Sequence, residues 1–173
     1  SIYNHSWRTY FWGAALGNIQ KQQFDDESLL IASLFHDIGL TEQHIHSKGC
    51  NCFTYESAKQ FEQKAKEHSF DEKKSEVIKD AICLHMNGYI DHSDPAEITL
   101  LQQGASCDVI SDGLYKLPLS FRKEILEKYP RKQFNKEFIE LINLETKNVS
   151  NSRTSLLSSL GLPLMINSNL FKE

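Results

Sequence analysis

The chain has 173 residues, with 19 Lys and Arg against 23 Asp and Glu and a formal net charge of -4 at pH 7. This slight acidity disfavours nucleic acid or an anionic membrane surface as a partner, because both are bound mainly through clustered lysine and arginine. A chain of this length buries roughly two thirds of its unfolded surface on folding, so it needs neither a metal nor a disulfide merely to hold a core together. Any metal site therefore needs a functional reason.

Two further features bear on location. No apolar run approaches the roughly 18 residues that span a bilayer, and no charged-then-apolar leader opens the chain. The chain contains four cysteines, Cys50, Cys52, Cys83 and Cys107. They are too few and too clustered for a secreted disulfide framework, so we expect reduced thiols and a cytoplasmic location.

Apolar residues recur at helical spacing along nearly the whole chain. The pattern predicts helices over about residues 3–21, 29–38, 55–68, 70–85, 95–108, 118–128 and 135–146 and a last apolar segment that ends at Gly161. Gly13 and Gly17 interrupt the first helix and indicate close packing against a neighbour. No strand pair, repeat or low-complexity linker is present, so we predict one all-α domain over residues 1–173 with about seven helices. Because the helical pattern is already running close to Ser1, we also expect a further N-terminal segment upstream.

Three helix boundaries carry local signals. Gly39 ends the second helix, whose apolar residues wrap all round and predict a central buried helix. Ser69 and Glu72 have the spacing of a capping box at the start of the fourth helix. Asp94 precedes Pro95 as the expected N-cap of the fifth.

Histidine and aspartate occupy positions that should be apolar. His36 and Asp37 close the second helix, Asp108 takes an inward position on the fifth, and the first helix contains His5. A buried carboxylate costs several kcal/mol unless it is paired or binds a metal. Adjacent helical residues project roughly 100° apart, which allows His36 and Asp37 to grip one ion. Each histidine taken alone has the alternative of a core residue satisfied by hydrogen bonds, whereas the set favours a metal site.

This ordered set resembles the HD superfamily of metal-dependent hydrolases, in which a His, a His-Asp doublet and a distal Asp hold the metal. The likeness extends to longer segments and covers nearly the whole chain. Residues 4–8, 34–39, 53–56, 81–85, 101–109, 129–131 and 154–161 are similar to the cyanamide hydratase branch and its bacterial relatives. The doublet alone is a weak signal, and the ordered set is a strong one.

The resemblance implies the roles of four residues directly. It makes His5, His36, Asp37 and Asp108 the ligands of one divalent metal ion, with open positions left for water. We expect zinc, with iron or manganese as alternatives, because imidazole and carboxylate suit all three.

Three more residues are implied around that ion. His85 falls where the family has a second active-site histidine, as a proton shuttle, a substrate contact or the ligand of a second metal. His92 and Glu56 are further catalytic candidates. The alternatives are an exposed loop residue for His92 and a solvated face of the helix for Glu56.

The resemblance implies a metal-activated water that hydrates or hydrolyses a small molecule, so we expect a hydrolase or a hydratase-type lyase. Many HD phosphohydrolases carry a Lys two residues after the doublet's Ile, where this chain has Leu40, and this departure disfavours phosphate. Arg8 and Lys48 could compensate. A phosphohydrolase acting on a nucleotide or phosphomonoester and a non-catalytic metal-binding sensor remain as alternatives, and the expected partner is a small-molecule substrate without nucleic acid or membrane.

Three further expectations concern the surroundings of the site. The segment from His44 to Cys52 contains two histidines and two cysteines, and it is either a local zinc or copper site or a lid over the active site. Four aromatic residues are expected to wall an apolar pocket or belong to the core, namely Phe11, Trp12, Phe35 and Phe53. Apolar residues over 162–171 cover either the domain's own core or that of a partner in a homo-oligomer.

Overall fold

The structure, a computed structural model, describes residues 1–45, 51–91 and 93–171. The helices of these residues are α1 (Ile2–Ile19), α2 (Asp26–Phe35), α3 (Glu42–Ile45), α4 (Phe53–Glu67), α5 (Glu72–Leu84), α6 (Ala96–Ile110), α7 (Leu119–Lys128), α8 (Phe134–Asn148), α9 (Arg153–Ser159) and α10 (Leu162–Asn167). Two 3₁₀ turns, Ile38–Leu40 and Leu114–Lys116, complete the regular structure. The predicted all-α class is confirmed. The seven predicted helices correspond to α1, α2 and α4 to α8, and the three further helices are short.

Helices α1 and α6 pack with their backbones in contact. A Cβ atom on Gly104 would lie 2.2 Å from the carbonyl oxygen of Thr9, and one on Gly13 would lie 2.6 Å from the carbonyl oxygen of Leu100. Real Cβ atoms do not approach that closely, so the contact requires glycine on both helices. The close packing predicted at Gly13 is therefore confirmed. Around this pair, α2 lies against α1, and α5 joins α2, α4 and α6.

Two helices begin at caps other than those predicted. The N-cap of α5 is Asp71, whose carboxylate accepts a hydrogen bond from the backbone N–H of Lys74. Ser69 has a φ of +50°, a left-handed conformation, whereas an N-cap is usually extended. The predicted capping box of Ser69 with Glu72 is therefore wrong. Helix α6 likewise begins one residue later than predicted, with Pro95 as its N-cap.

Helix α2 ends three residues earlier than predicted. Its N-cap Asp25 accepts a hydrogen bond from the backbone N–H of Ser28, and its last residue is Phe35. His36 caps the end with helical dihedrals, and Asp37 has left the helix at φ -111° and ψ 9°. The doublet is thus placed by a helix end and the following 3₁₀ turn, not by the 100° step of a continuous helix.

Within residues 1–45, 51–91 and 93–171, no helix combines the length and the apolarity needed to cross a membrane. Three of the four cysteines lie in this part of the chain, and Cys52, Cys83 and Cys107 are free thiols, as expected. Cys50 lies outside the described residues.

Candidate metal centre

Three of the predicted metal ligands converge at the centre of the helical bundle. His5, on α1, meets His36 and Asp37 at the end of α2, and none of the three is more than 1% exposed. The Nε2 atoms of the two histidines are 3.1 Å apart. The Oδ2 atom of Asp37 lies 3.3 Å from His5 Nε2 and 3.4 Å from His36 Nε2. One potential ligand atom from each residue therefore faces a common point.

The hydrogen bonds of the histidines fix which ring nitrogen faces that point. The Nδ1 atom of His36 lies 2.7 Å from the carbonyl oxygen of Ser33, and a carbonyl can only accept. Nδ1 of His36 therefore donates, which leaves the lone pair of the neutral ring on Nε2. His5 has the same arrangement, because its Nδ1 lies 2.7 Å from the carboxylate of Asp108. Both rings direct Nε2 towards Asp37 and donate from Nδ1 to a neighbouring oxygen. Metal-binding histidines typically have the same arrangement, with one nitrogen donating and the other facing the ion.

His85 brings a third imidazole to the same cluster. Its Nδ1 donates to the carbonyl oxygen of Ile82 at 2.7 Å, and its Nε2 lies 3.5 Å from Oδ1 of Asp37. The ring stands edge-on to that of His36, with 4.9 Å between centroids. His85 is 6% exposed and lines the cavity beside the cluster. The structure thus places it beside the doublet, on the side that is open to a small molecule.

The cluster is short of positive charge. Neither carboxylate oxygen of Asp37 accepts a hydrogen bond from the residues that the structure describes, although both are buried. Three Nε2 atoms and one carboxylate therefore face one another. The ligand atoms around a tetrahedral zinc ion, at about 2.0–2.1 Å from it, are about 3.3 Å apart, which matches the separations of 3.1 to 3.4 Å in the cluster. The donor set fits a divalent cation in both chemistry and spacing.

The acid-base state of the cluster agrees with this reading. Burial lowers the pKa of His36 to about 3, so its ring is neutral near pH 7. Burial also acts to lower the pKa of His5, but the carboxylates of Asp108 and Asp37 outweigh burial and raise it. Burial disfavours the ionised form of Asp37, yet the contacts with His36 and His5 hold the pKa of its carboxyl well below the usual range. Of His5 and His36, His5 is therefore the histidine whose pKa the neighbouring carboxylates raise.

Asp108, the fourth predicted ligand, is not part of the converging group. Its Oδ2 bonds to Nδ1 of His5, on the side of the ring that faces away from the cluster. Arg8 donates to both of its oxygens at 2.8 Å, and the indole N–H of Trp12 donates to Oδ1 at 2.9 Å. Arg131 adds a longer contact to Oδ1 at 3.3 Å. In this geometry Asp108 bonds to Nδ1 of His5 and directs neither oxygen at the cluster, so its role as a ligand stays a prediction.

Three residues that hold Asp108 were not identified as site residues from the sequence. Trp12 was assigned to a pocket wall or the core, Arg8 only to phosphate, and Arg131 appeared within the segment 129–131 of the family likeness. The first helix did contain a signal, because His5, Arg8 and Trp12 are spaced by three and four residues and share one helix face. Arg131 follows α7 in the chain, and nothing in its local sequence indicates burial; its side chain is 1% exposed.

A cavity of about 240 Å³ adjoins the cluster. Besides His5, His36, Asp37 and His85, its walls are formed by Met86, Asn87, Gly88, Gln102, Ala105, Ser106, Val109, Ile110, Asp112, Phe138, Leu157, Leu160, Leu162 and Met165. The four aromatic residues that were expected to wall the pocket do not line it. Trp12 and Phe53 are fully buried, and Phe11 and Phe35 pack against other aromatic rings. The walls come instead from α6 and the C-terminal helices.

The remaining predicted residues lie elsewhere. Glu56 is 3% exposed on α4, where it accepts a hydrogen bond from Gln60 at 2.7 Å, and it does not line the cavity. His92 lies outside the described residues, as do residues 46–50 of the segment predicted to be a lid or a second metal site. Glu56 does not line the cavity beside the cluster, and His92 is outside the described residues, so the catalytic roles of both stay predictions.

Comparison with known proteins identifies a family for the chain. No curated protein matches the chain. The HD domain family model matches residues 2–126, which include α1, both residues of the doublet, His85 and Asp108. That match spans well over half of the sequence. The chain belongs to the HD domain family, whose members are generally metal-dependent hydrolases.

Proposed function

We propose that the chain is a zinc-dependent enzyme that adds water to an electrophilic carbon of a small uncharged molecule, as a nitrile or cyanamide hydratase does. The observation that carries the proposal is the buried convergence of three Nε2 atoms on the unpaired carboxylate of Asp37. A zinc ion in such a site lowers the pKa of a bound water towards neutrality and polarises the group under attack. Support for the hydratase branch comes from the motifs that the chain shares with it.

In this proposal some side chains bind the metal ion and another transfers protons. His5, His36 and Asp37 would hold the ion, and Asp108 keeps His5 in the tautomer that leaves Nε2 free. His85 has its Nδ1 proton bound to a carbonyl, so its free Nε2 can accept a proton and return it. In the net reaction a nitrile and one water give a carboxamide: the oxygen of water bonds to carbon and both added protons end on nitrogen. His85 is placed to move one of them.

An uncharged substrate is favoured over a phosphate ester by the charges around the cavity. None of the described residues that line it is a lysine or an arginine. Arg8 does not supply a phosphate contact, because its guanidinium is fully buried and bonded to Asp108. Leu40, at the position where phosphohydrolases carry the lysine, is also fully buried. A phosphate group in this cavity would therefore have the metal ion as its partner but no lysine or arginine among the described lining residues.

Elemental analysis of protein purified without added metal tests the site. We expect about one equivalent of zinc per chain, and we expect Asp37→Asn to lose it, because the substitution removes the only charged ligand in the converging group. Asp80→Asn, at an exposed carboxylate on α5, is the matched control and should retain the metal. Iron or manganese in place of zinc would change the ion but not the site.

Activity assays on the metal-loaded protein test the reaction. We expect amide formation from cyanamide or a nitrile and no phosphate release from nucleoside monophosphates. Phosphate release faster than hydration would make the protein a phosphohydrolase. Bound metal without turnover of either substrate class would favour a sensor, and wild-type protein that neither contains nor takes up metal would overturn the proposal.

A further inference from the structure

The cavity beside the cluster is large for the smallest substrates of a nitrile-hydrating enzyme. Its volume of about 240 Å³ corresponds to about eight water molecules, at about 30 Å³ for each molecule of the liquid. Cyanamide has only three non-hydrogen atoms and would leave most of this space empty. The size therefore indicates a substrate with a substituent that fills the rest of the cavity.

The cavity walls are chemically divided. The polar atoms of the cluster supply one part of the lining, and hydrocarbon side chains supply most of the remainder. Leu157 is contributed by α9, Leu162 and Met165 by α10, and Phe138 by α8. All of these helices lie beyond residue 126, where the match to the HD family ends. The part of the chain that follows the matched HD domain thus provides an apolar surface for the ligand next to the metal cluster.

Charge restricts the ligand further. The acidic residues Asp37 and Asp112 line the cavity, and no lysine or arginine is among the described lining residues. The two nearby guanidinium groups, those of Arg8 and Arg131, are both engaged by Asp108. In metal-free protein an anionic ligand would therefore lose its hydration without gaining a lysine or arginine partner from the described lining residues.

We propose that the substrate is an uncharged aliphatic nitrile, whose product is the matching carboxamide, with a hydrocarbon chain of several carbons held by Leu157 and Met165. The assignment of the head group rests on the proposed function; that of the hydrocarbon chain rests on the cavity alone. Leu157 and Met165 are specificity-determining residues in this proposal. Burial of the chain against them would raise affinity by about fourfold per methylene group, from about 0.8 kcal/mol for each CH₂.

Binding of a series of linear carboxamides, acetamide, butanamide and hexanamide, tests the proposal without requiring turnover. Protein NMR titrations measure millimolar as well as tighter affinities, and they can be run on metal-free and zinc-loaded protein. We expect affinity to rise about fourfold per added methylene in both forms until the cavity is filled. On metal-free protein, hexanoate should bind more weakly than hexanamide because of its charge. Equal affinity along the amide series, or tighter binding of hexanoate, would overturn the proposal.

The variants compare neighbouring positions on α9 and α10, one of which lines the cavity while the other does not. In Leu157→Ala/Met165→Ala, hexanamide should bind about tenfold more weakly while acetamide is unaffected. Leu156→Ala/Leu164→Ala is the control, since these neighbours do not line the cavity, whereas Leu157 and Met165 do, although Met165 is itself 48% exposed. Equal weakening for both amides, or the same loss in the control, would contradict the assigned contacts.

The two forms of the protein separate this inference from the proposed function. If amide affinity depends on hydrocarbon length in metal-free protein but the zinc-loaded form hydrates no nitrile, the cavity binds a hydrocarbon group and the nitrile head group is rejected. Hydration of cyanamide without any dependence on chain length would do the reverse.

Discussion

At Asp108, one buried carboxylate meets two guanidinium groups, an indole and an imidazole. Arg8 holds its pKa well below the usual range despite burial, so it is ionised and accepts all of these hydrogen bonds. A carboxylate bound in this way has no oxygen directed at the cluster, and its contact with the cluster is the hydrogen bond to Nδ1 of His5. Partners of this kind raise the basicity of a metal-binding histidine and fix its orientation.

Asp108→Asn should therefore weaken zinc binding by about 10- to 100-fold without abolishing it. The amide keeps the shape of the side chain but loses the charge that stabilises the Nδ1 proton of His5. Competition with a chromogenic chelator measures the affinity, and circular dichroism verifies that the variant is folded. Asp37→Asn, which removes a residue of the converging group, should abolish binding in the same assay. If folded Asp108→Asn also binds no zinc, Asp108 is itself a ligand, as the resemblance to the HD superfamily implies.

The identities of the converging residues could be predicted from the sequence, but the contacts of each side chain, and above all those of Asp108, could not. A polar doublet at the end of the most hydrophobic helix is visible in the residue pattern, and His5 was implied by the resemblance of the ordered set to the HD superfamily. Which oxygen of Asp108 faces which neighbour depends on α1, α6 and the segment before α8 meeting in space. That information is non-local, and the sequence pattern does not contain it.

Among the elements, the contact of α1 with α6 decides whether the site can form. The hydrogen bond from His5 to Asp108 joins residues 103 positions apart, and it depends on backbones that touch at Gly104. A methyl group at Gly104 would lie 2.2 Å from the carbonyl oxygen of Thr9, a rigid part of α1. The helices would have to separate to accept it.

Gly104→Ala should therefore destabilise the protein by about 1–3 kcal/mol, although alanine favours a helix by about 1 kcal/mol over glycine. Urea unfolding measures the change, and metal content reports whether the site survives. Gly88→Ala is the control, because nothing lies within 4 Å of a Cβ atom there. A stability gain in Gly104→Ala would show that the two helices are not packed as closely as described.

Helix positions were predicted well from the sequence wherever apolar periodicity was long. All seven long helices were anticipated, whereas the end of α2 and the start of α5 were misplaced because single capping residues compete at those points. The short helices α9 and α10 form much of the apolar wall of the cavity, yet their leucines resemble ordinary core or interface residues in the sequence. Only tertiary packing shows that they face the cluster.

For the whole molecule, the buried histidines give a defined dependence of stability on pH in metal-free protein. The pKa of His36 is about 3 in the folded chain and about 6.5 in the unfolded chain, so its contribution is present above pH 6.5 and is lost as the pH falls towards 3. The pKa of His5 is raised by folding, so its contribution is complete below pH 6.5 and is lost as the pH rises through the raised value. The two effects together place maximum stability near pH 6.5.

Urea unfolding in the presence of a chelator, from pH 4 to pH 8.5, should show this maximum. Below it, the free energy of unfolding should fall by about 1.4 kcal/mol per pH unit because of His36 alone. His68→Gln, at an exposed histidine on the surface, should leave the curve unchanged, and His36→Gln should flatten its acid side. Saturating zinc should move the maximum to higher pH, because the ion replaces the proton on His5 and binds only neutral imidazole. A curve with the same acid slope in wild type and His36→Gln would mean that the cluster is not the source of the acid sensitivity.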